Sequence, residues 1–148
     1  MGEPKQALSP AMNVTELVRF LAAEFPQAFH RDSGLTIETA HRGEARVRQA
    51  YREQLLRPGG TISGPTMMGL ADFTMYVAVL ASIGPVPLAV TTNLNINFLR
   101  RPAARDLVAA CRLMKLGKRL AVGEVTIRSE GQEEAVAHAT STYSIPWK

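Results

Sequence analysis

The sequence has 148 residues, of which 46% are hydrophobic and 20% are charged, so one ordinary globular domain is expected and a multidomain assembly is excluded. The net charge of +4 is small for a dedicated nucleic-acid-binding protein. One cysteine and three scattered histidines allow no intramolecular disulfide and predict no metal site, which favours a reducing, cytoplasmic location.

The N-terminal residues contain two prolines and lack the apolar segment of a secretory signal. We therefore predict a flexible tail over residues 1–12, followed by a single domain over residues 13–148. The domain opens with a helix over residues 14–25, because apolar side chains recur on one stripe there. Asn13 caps this helix and Pro26 ends it.

Two strands are predicted next, over residues 35–41 and 44–51. They are joined by a turn at Arg42-Gly43, and the second strand alternates between apolar and charged side chains. This alternation is typical of an antiparallel strand with one exposed face.

A second helix is predicted from Pro65 to the break at Gly84, because proline is well suited to the first turn of a helix. Its side chains are apolar on nearly every face, which places it at the centre of the fold. The apolar run over residues 67–83 contains Asp72, and a carboxylate is costly inside a bilayer. A buried core helix is therefore expected rather than a membrane span.

Four further strands follow, over residues 88–99, 107–116, 120–128 and 134–145. In the first of these, alternation predicts that one face carries Val90, Thr92, Leu94, Ile96 and Phe98, and that the other carries Thr91, Asn93, Asn95 and Asn97. Strands, one buried helix and more strands form an α+β plan in which a curved antiparallel sheet wraps a long central helix. The predicted architecture is a hotdog fold with an additional N-terminal helix.

The stretch RPGGTISGPTMMGLAD, from Arg57 to Asp72, resembles the turn and helix start of hotdog acyl-CoA thioesterases of the PaaI-like, 4-hydroxybenzoyl-CoA thioesterase type. Those proteins usually read Asn-x-x-Gly-x-x-His-Gly-Gly, followed by Leu-Ala-Asp or Leu-Ala-Glu. Segments 93–102 and 116–121 are also similar, so the resemblance covers most of residues 35–146. The sequence departs from the pattern at Arg57, Ser63 and Pro65, which stand where the family has Asn, His and Gly.

The resemblance implies that Asp72 attacks the thioester or activates the water that does so, and that a backbone N–H at the helix start polarises the carbonyl. Gly64 is the candidate for that N–H, because Pro65 has none. Ser63 is a candidate for orienting substrate or water with its hydroxyl. The alternatives are that Asp72 forms a buried structural ion pair and that Ser63 belongs to the turn.

The chemistry of thioester hydrolysis agrees with these assignments. The reaction needs a base or nucleophile and a positive pole for the oxygen that becomes anionic, and a helix N-terminus supplies the second. Asp72 lies about two turns, roughly 10 Å, from the start of the helix. A neighbouring chain is therefore expected to complete the site.

Further residues are candidates for substrate binding. Between Arg100 and Arg119 the sequence has seven basic residues and one acidic residue, and cations at a turn can hold the phosphates of coenzyme A. The rival interpretation is solvated charge at the turn and, for Tyr76, a place in the core. The predicted substrate-binding residues are Arg57, Gly60, Tyr76, Lys115, Lys118 and Arg119.

The sequence thus predicts an acyl-CoA thioesterase that needs no cofactor beyond the coenzyme A of its substrate. The alternative is an acyl-CoA-binding or sensing protein with little turnover, because Ser63 and Pro65 replace the His and Gly of the family. Nucleic-acid binding is a weaker third hypothesis, since the basic stretch carries no aromatic platform. The open sheet edge predicts a homodimer, and the resemblance also implies a dimer of dimers.

Overall fold

The structure is a computed structural model that describes residues 9–146. Two α-helices, one 3-10 helical turn (Glu53–Leu55) and eight strands are described. The α-helices and strands are α1 (Val14–Glu24), β1 (Leu35–His41), β2 (Glu44–Gln49), β3 (Leu56–Arg57), β4 (Thr61–Ile62), α2 (Gly64–Ile83), β5 (Val90–Phe98), β6 (Leu107–Leu116), β7 (Leu120–Ser129) and β8 (Ala135–Ser144). The long elements begin and end within a few residues of the predicted bounds. The short β3–β4 hairpin occupies the stretch where only turns are predicted.

Six strands form one antiparallel sheet in the order β1-β2-β6-β7-β8-β5. The sheet packs around α2, in which every residue from Phe73 to Ser82 is buried. The core contacts include the sulfur atoms of Cys111 and Met75, 3.7 Å apart, and the stacked rings of Phe29 and Phe73. A central helix against a large antiparallel sheet confirms the predicted hotdog fold.

The first helix begins where its cap predicts. The side chain of Asn13 accepts the N–H of Glu16, and the side chain of Glu16 accepts the N–H of Asn13. This reciprocal capping box satisfies two N–H groups that have no partner within the helix. Leu17 and Leu21 then turn the buried face of α1 toward the core.

By length and composition, α2 would also be suited to cross a membrane. However, 72% of its most apolar window is buried inside the protein. Its apolar faces are therefore accounted for by contacts with this chain's own sheet, as expected for a core helix.

The boundary between the predicted tail and the domain needs correction. Residues 1–8 lie outside the described residues, so a flexible tail there stays a prediction. Residues 9–12, by contrast, pack with the domain: the N–H of Ala11 donates to the carbonyl of Ala81 at 2.8 Å, and Met12 is buried. Apolar burial of Met12 draws this segment onto the C-terminal half of α2.

The predicted faces of β5 also need correction at one end. The pairing of β5 with β8 shifts between Thr91 and Asn93, which marks a β-bulge. A bulge adds one residue to a strand and so reverses the alternation of side chains beyond it. Thr91, predicted to lie with the asparagines, instead points inward and contacts Asp72.

Candidate active site

The carboxylate of Asp72 is half-buried on α2 and is held through one of its two oxygens. Its Oδ1 accepts a hydrogen bond from the Thr91 hydroxyl and another, at 3.0 Å, from the Tyr143 hydroxyl. The Tyr143 hydroxyl also lies 3.1 Å from the backbone carbonyl oxygen of Asp72. Within the described chain, Oδ2 makes no hydrogen bond. The carboxylate is thus oriented and keeps one oxygen available.

Aromatic side chains surround this carboxylate. Tyr143 stacks on Tyr76 with ring centroids 5.9 Å apart, and Phe25 meets the Tyr76 ring edge-on. The Tyr76 hydroxyl donates to the carbonyl of Pro87 at 3.0 Å. Burial and the neighbouring Asp72 charge raise the pKa of Tyr143 well above its usual value, so this hydroxyl remains a donor at neutral pH.

A cavity of about 220 Å³ opens beside the carboxylate. The end of α1 contributes Glu24 and the C-cap Phe25 to its wall, and the segment leading into β5 contributes Pro87 and Ala89. The structure therefore brings two of the predicted site residues, Asp72 and Tyr76, together at one cavity. It adds Thr91 and Tyr143 to them.

The start of α2 leaves one backbone donor unused. The Ser63 hydroxyl accepts the N–H of Thr66 at 3.3 Å, and the Ser63 carbonyl accepts the N–H of Met67 at 3.3 Å. Pro65 has no N–H. Of the four N–H positions that open this helix, Gly64 is thus the one that keeps a donor without a partner in the described chain.

Ser63 is the N-cap of α2, and its hydroxyl also lies 2.8 Å from that of Thr66. Capping accounts for a serine at this position, so its predicted catalytic role stays a prediction. Gly60 has a φ of +77° and closes the β3–β4 turn by donating its N–H to Arg57. Only glycine adopts this conformation readily, so the turn alone explains why position 60 is a glycine.

A second cavity, of about 490 Å³, opens at Gly64. Its lining includes Arg57, Phe98 and Arg101, and the Phe98 ring lies so close to Gly64 that an added Cβ would stand 3.3 Å from it. Arg101 donates to the carbonyl of Gly59 at 2.7 Å, which ties the segment after β5 to the β3–β4 turn. Arg57 is exposed at the rim of the cavity.

The two halves of the candidate site do not meet within one chain. Eight residues of helix separate Gly64 from Asp72, a rise of about 12 Å. A reacting carbonyl needs its oxyanion donor and its base each within about 3 Å. The cavities at the two residues also share no lining residue.

The predicted basic residues line a separate open hollow at the β6–β7 turn: Lys115, Lys118 and Arg119. They do not touch Asp72. However, Thr91 pairs with Tyr143, and Tyr143 pairs with Ala121 at the start of β7. The basic turn therefore lies two strands, about 10 Å, from Thr91 at the same end of the sheet.

Two residues that contact Asp72, Thr91 and Tyr143, are missed by the sequence interpretation. Thr91 is assigned to the wrong face because of the bulge. Tyr143 could have been placed on the inner face, since the alternation in β8 also buries Ala139 and Ser141. A buried tyrosine generally needs a hydrogen-bond partner, and Asp72 is a polar group on the facing helix.

Comparison with known proteins shows which family the chain resembles. The family model described as the thioesterase superfamily matches residues 59–136. A solved structure from Silicibacter sp. TM1040, provisionally assigned as a thioesterase, is 43% identical. That match covers 96% of this chain and 97% of the other, with a TM-score of 0.84.

Two further relatives are more distant. A variant of the phenylacetic acid degradation protein PaaI from Thermus thermophilus is 27% identical, over 86% of this chain and 99% of that one, with a TM-score of 0.68. A provisionally assigned esterase from Halobacterium salinarum is 33% identical over 100 residues. The match covers 64% of this chain and spans 65% of the length of that relative.

Proposed function

Because the chain belongs to the thioesterase superfamily, we propose that it hydrolyses an acyl-CoA thioester to the free acid and coenzyme A. The observation that carries this proposal is the Asp72 carboxylate, which is oriented by two hydroxyl groups and keeps one oxygen open beside a cavity. A carboxylate held in this way is suited to take a proton from water or to attack a carbonyl.

The reaction balances without a cofactor. Asp72 accepts a proton from a water molecule as that water attacks the thioester carbon, and the carbonyl oxygen becomes an oxyanion. The N–H of Gly64 stabilises that oxyanion. The C–S bond then breaks, and the thiolate of coenzyme A takes up the proton. If Asp72 itself attacks, a mixed anhydride forms first and water hydrolyses it.

A second copy of the chain is required, because one chain holds Asp72 and Gly64 too far apart. The resemblance of residues 57–72 to the hotdog thioesterases also implies an oligomer. In this chain, β5 is an edge strand with Thr91 near one end and Phe98 at the other. Antiparallel pairing of two β5 strands about a twofold axis brings the first end beside the second end of the partner. Asp72 thereby approaches the partner subunit's Gly64.

The same pairing brings the basic side chains that we propose to bind coenzyme A to the borders of one composite site. The basic turn with Lys115 and Lys118 lies at the Asp72 end of the sheet, whereas Arg57 lies at the Gly64 end. A composite site would border both groups, and cations there would attract the phosphates of the substrate. The dimer of dimers and the cytoplasmic location remain predictions.

The test is thiol release from a panel of purified acyl-CoA esters. Wild-type protein should release coenzyme A from at least one ester, and Asp72→Asn should lower the rate about a thousandfold, because removal of a general base costs factors of this order. Asp32→Asn is the matched control, since it makes the same change at an exposed carboxylate that does not line the cavity. Equal rates for wild type and Asp72→Asn would remove Asp72 from the mechanism.

The second candidate is an acyl-CoA-binding protein with little turnover. It is favoured by the small number of donors at the start of α2, where Pro65 has no N–H and the N–H of Thr66 is already bound by Ser63. Calorimetry distinguishes the two candidates. Binding of acyl-CoA esters without thiol release from any of them would support the binding protein.

A further inference from the structure

We infer that Tyr143 is a positioning residue: together with Thr91 it holds Oδ1 of Asp72, so that Oδ2 is the oxygen that acts on the substrate. This inference rests on the proposed function, because it assigns the reacting oxygen of the same carboxylate. Oδ1 accepts hydrogen bonds from two hydroxyl groups, one on β5 and one on β8, whose side chains point to the inner face of the sheet. Neither is adjacent to Asp72 in sequence.

The Tyr143 hydroxyl is fixed from several sides. It lies 3.0 Å from Oδ1 and 3.1 Å from the backbone carbonyl oxygen of Asp72, so its proton is shared between two acceptors on one helical residue. Its side chain is 4% exposed and stacks on Tyr76, whose own hydroxyl is bound to Pro87. A rigid donor of this kind sets the rotation of the carboxylate about its own bond.

The second oxygen, Oδ2, makes no hydrogen bond within the described chain. Because two hydroxyl groups already bind Oδ1, Oδ2 is the oxygen that is left to accept a proton. The other titratable groups that face this cavity in the described chain are Glu24 on α1 and Tyr76 on α2, and β5 contributes none.

The test compares Tyr143→Phe with wild-type protein, because phenylalanine keeps the stacked ring and removes only the hydroxyl. The first measurement follows the Asp72 carboxyl by ¹³C NMR in aspartate-labelled protein, with the signal assigned by its loss in Asp72→Asn. In Tyr143→Phe the ¹³C chemical shift of this carboxyl should change, because Oδ1 loses one of its two hydrogen-bond donors. An unchanged chemical shift would overturn the inference.

The second measurement is kinetic. In Tyr143→Phe, kcat should fall about tenfold, the size expected for one hydrogen bond to a charged group, while KM stays nearly constant. A change in KM with wild-type kcat would contradict a positioning role.

The controls separate this inference from the proposed function. Tyr51→Phe removes a hydroxyl from a half-buried tyrosine outside the cavity and should leave both measurements unchanged. If Tyr143→Phe does not fold, Thr91→Val removes the other donor and should also change the chemical shift of the Asp72 carboxyl. If wild-type protein hydrolyses no ester, the proposed function fails, and the chemical shift of the carboxyl still decides whether Tyr143 holds Asp72.

Discussion

Asp72 combines two properties that are costly to combine, a negative charge and a place on an apolar helix. Desolvation of a carboxylate is unfavourable unless hydrogen bonds replace the lost water. Thr91 and Tyr143 supply these bonds, and both come from strands distant in sequence, 19 and 71 residues away. The sequence could therefore identify Asp72 as exceptional, but it could not identify the partners, because these depend on strand register.

The Cys111 thiol is buried, and we expect it to be unreactive in the folded protein. Burial, aided by the charge of Glu124, raises the pKa of its thiol to about 12, so at pH 8 only about one thiol in ten thousand is ionised. Because the thiolate is the reactive form, Cys111 should not react with a disulfide reagent in the folded protein. In guanidinium chloride, the same reagent should detect one thiol per chain. Rapid reaction of the folded protein would contradict the buried position, and it would also disturb the thiol-release assay.

The start of α2 shows how one element serves both the fold and the candidate site. Ser63 and Pro65 stabilise the first turn, by capping and by a fixed φ, and they use or remove three of its donors. The N–H of Gly64 remains. The sequence predicts this helix from Pro65, because the proline signal is local, and the structure confirms the helix. The capping role of Ser63 is not predicted.

Substitution of Ser63 separates its two assigned roles. Ser63→Ala should lower the free energy of unfolding by about 1 kcal/mol, the usual cost of a lost N-cap. Ser63→Asn should restore the stability, because asparagine caps as well as serine. Urea unfolding measures both variants. Thiol release then tests the hydroxyl: a rate loss in a stable Ser63→Asn would assign it a catalytic role, whereas a wild-type rate would leave it a cap.

Strand β5 shows where interpretation from sequence fails at the scale of an element. Its bounds are predicted within two residues, because alternation and flanking prolines mark them. The bulge beyond Thr91 leaves no sequence signal, since threonine occupies both positions, 91 and 92. One extra residue moves Thr91 from the outer face to the inner face and so completes the contacts of Asp72.

At the scale of the whole molecule, β5 leaves the sheet incomplete. It is a nine-residue edge strand without a charged residue, and uncharged open edges readily pair with another strand. Large apolar side chains are exposed at both of its ends, with Val90 57% exposed and Phe98 49% exposed. The opposite edge, β1, contains Glu38 and a bulge. This asymmetry favours β5 as the strand that pairs with a second copy.

The complete site therefore could not be found in one chain, from sequence or from structure. Composition and motif identify Asp72 and Gly64 separately, and the fold then places them on the same helix about 12 Å apart. In the proposed dimer, the step from two half-sites to one site depends on the pairing of two β5 strands, which no local pattern in the sequence specifies.

A hybrid dimer tests this central claim most directly. One chain carries Asp72→Asn and the other carries Gly64→Pro, which removes the N–H at a position where the extended backbone of Ser63 accepts a following proline. Each variant, as its own homodimer, should be inactive and folded. Co-expression with two affinity tags isolates the hybrid, in which one composite site retains both native groups and the other retains neither.

The measurement is the rate of thiol release per hybrid dimer of two 16.1 kDa chains. The composite site predicts about half of the wild-type rate, because one of two sites is restored. If Asp72 and Gly64 instead acted within the same chain, both sites of the hybrid would be damaged. A hybrid no more active than its parent homodimers would therefore contradict the account.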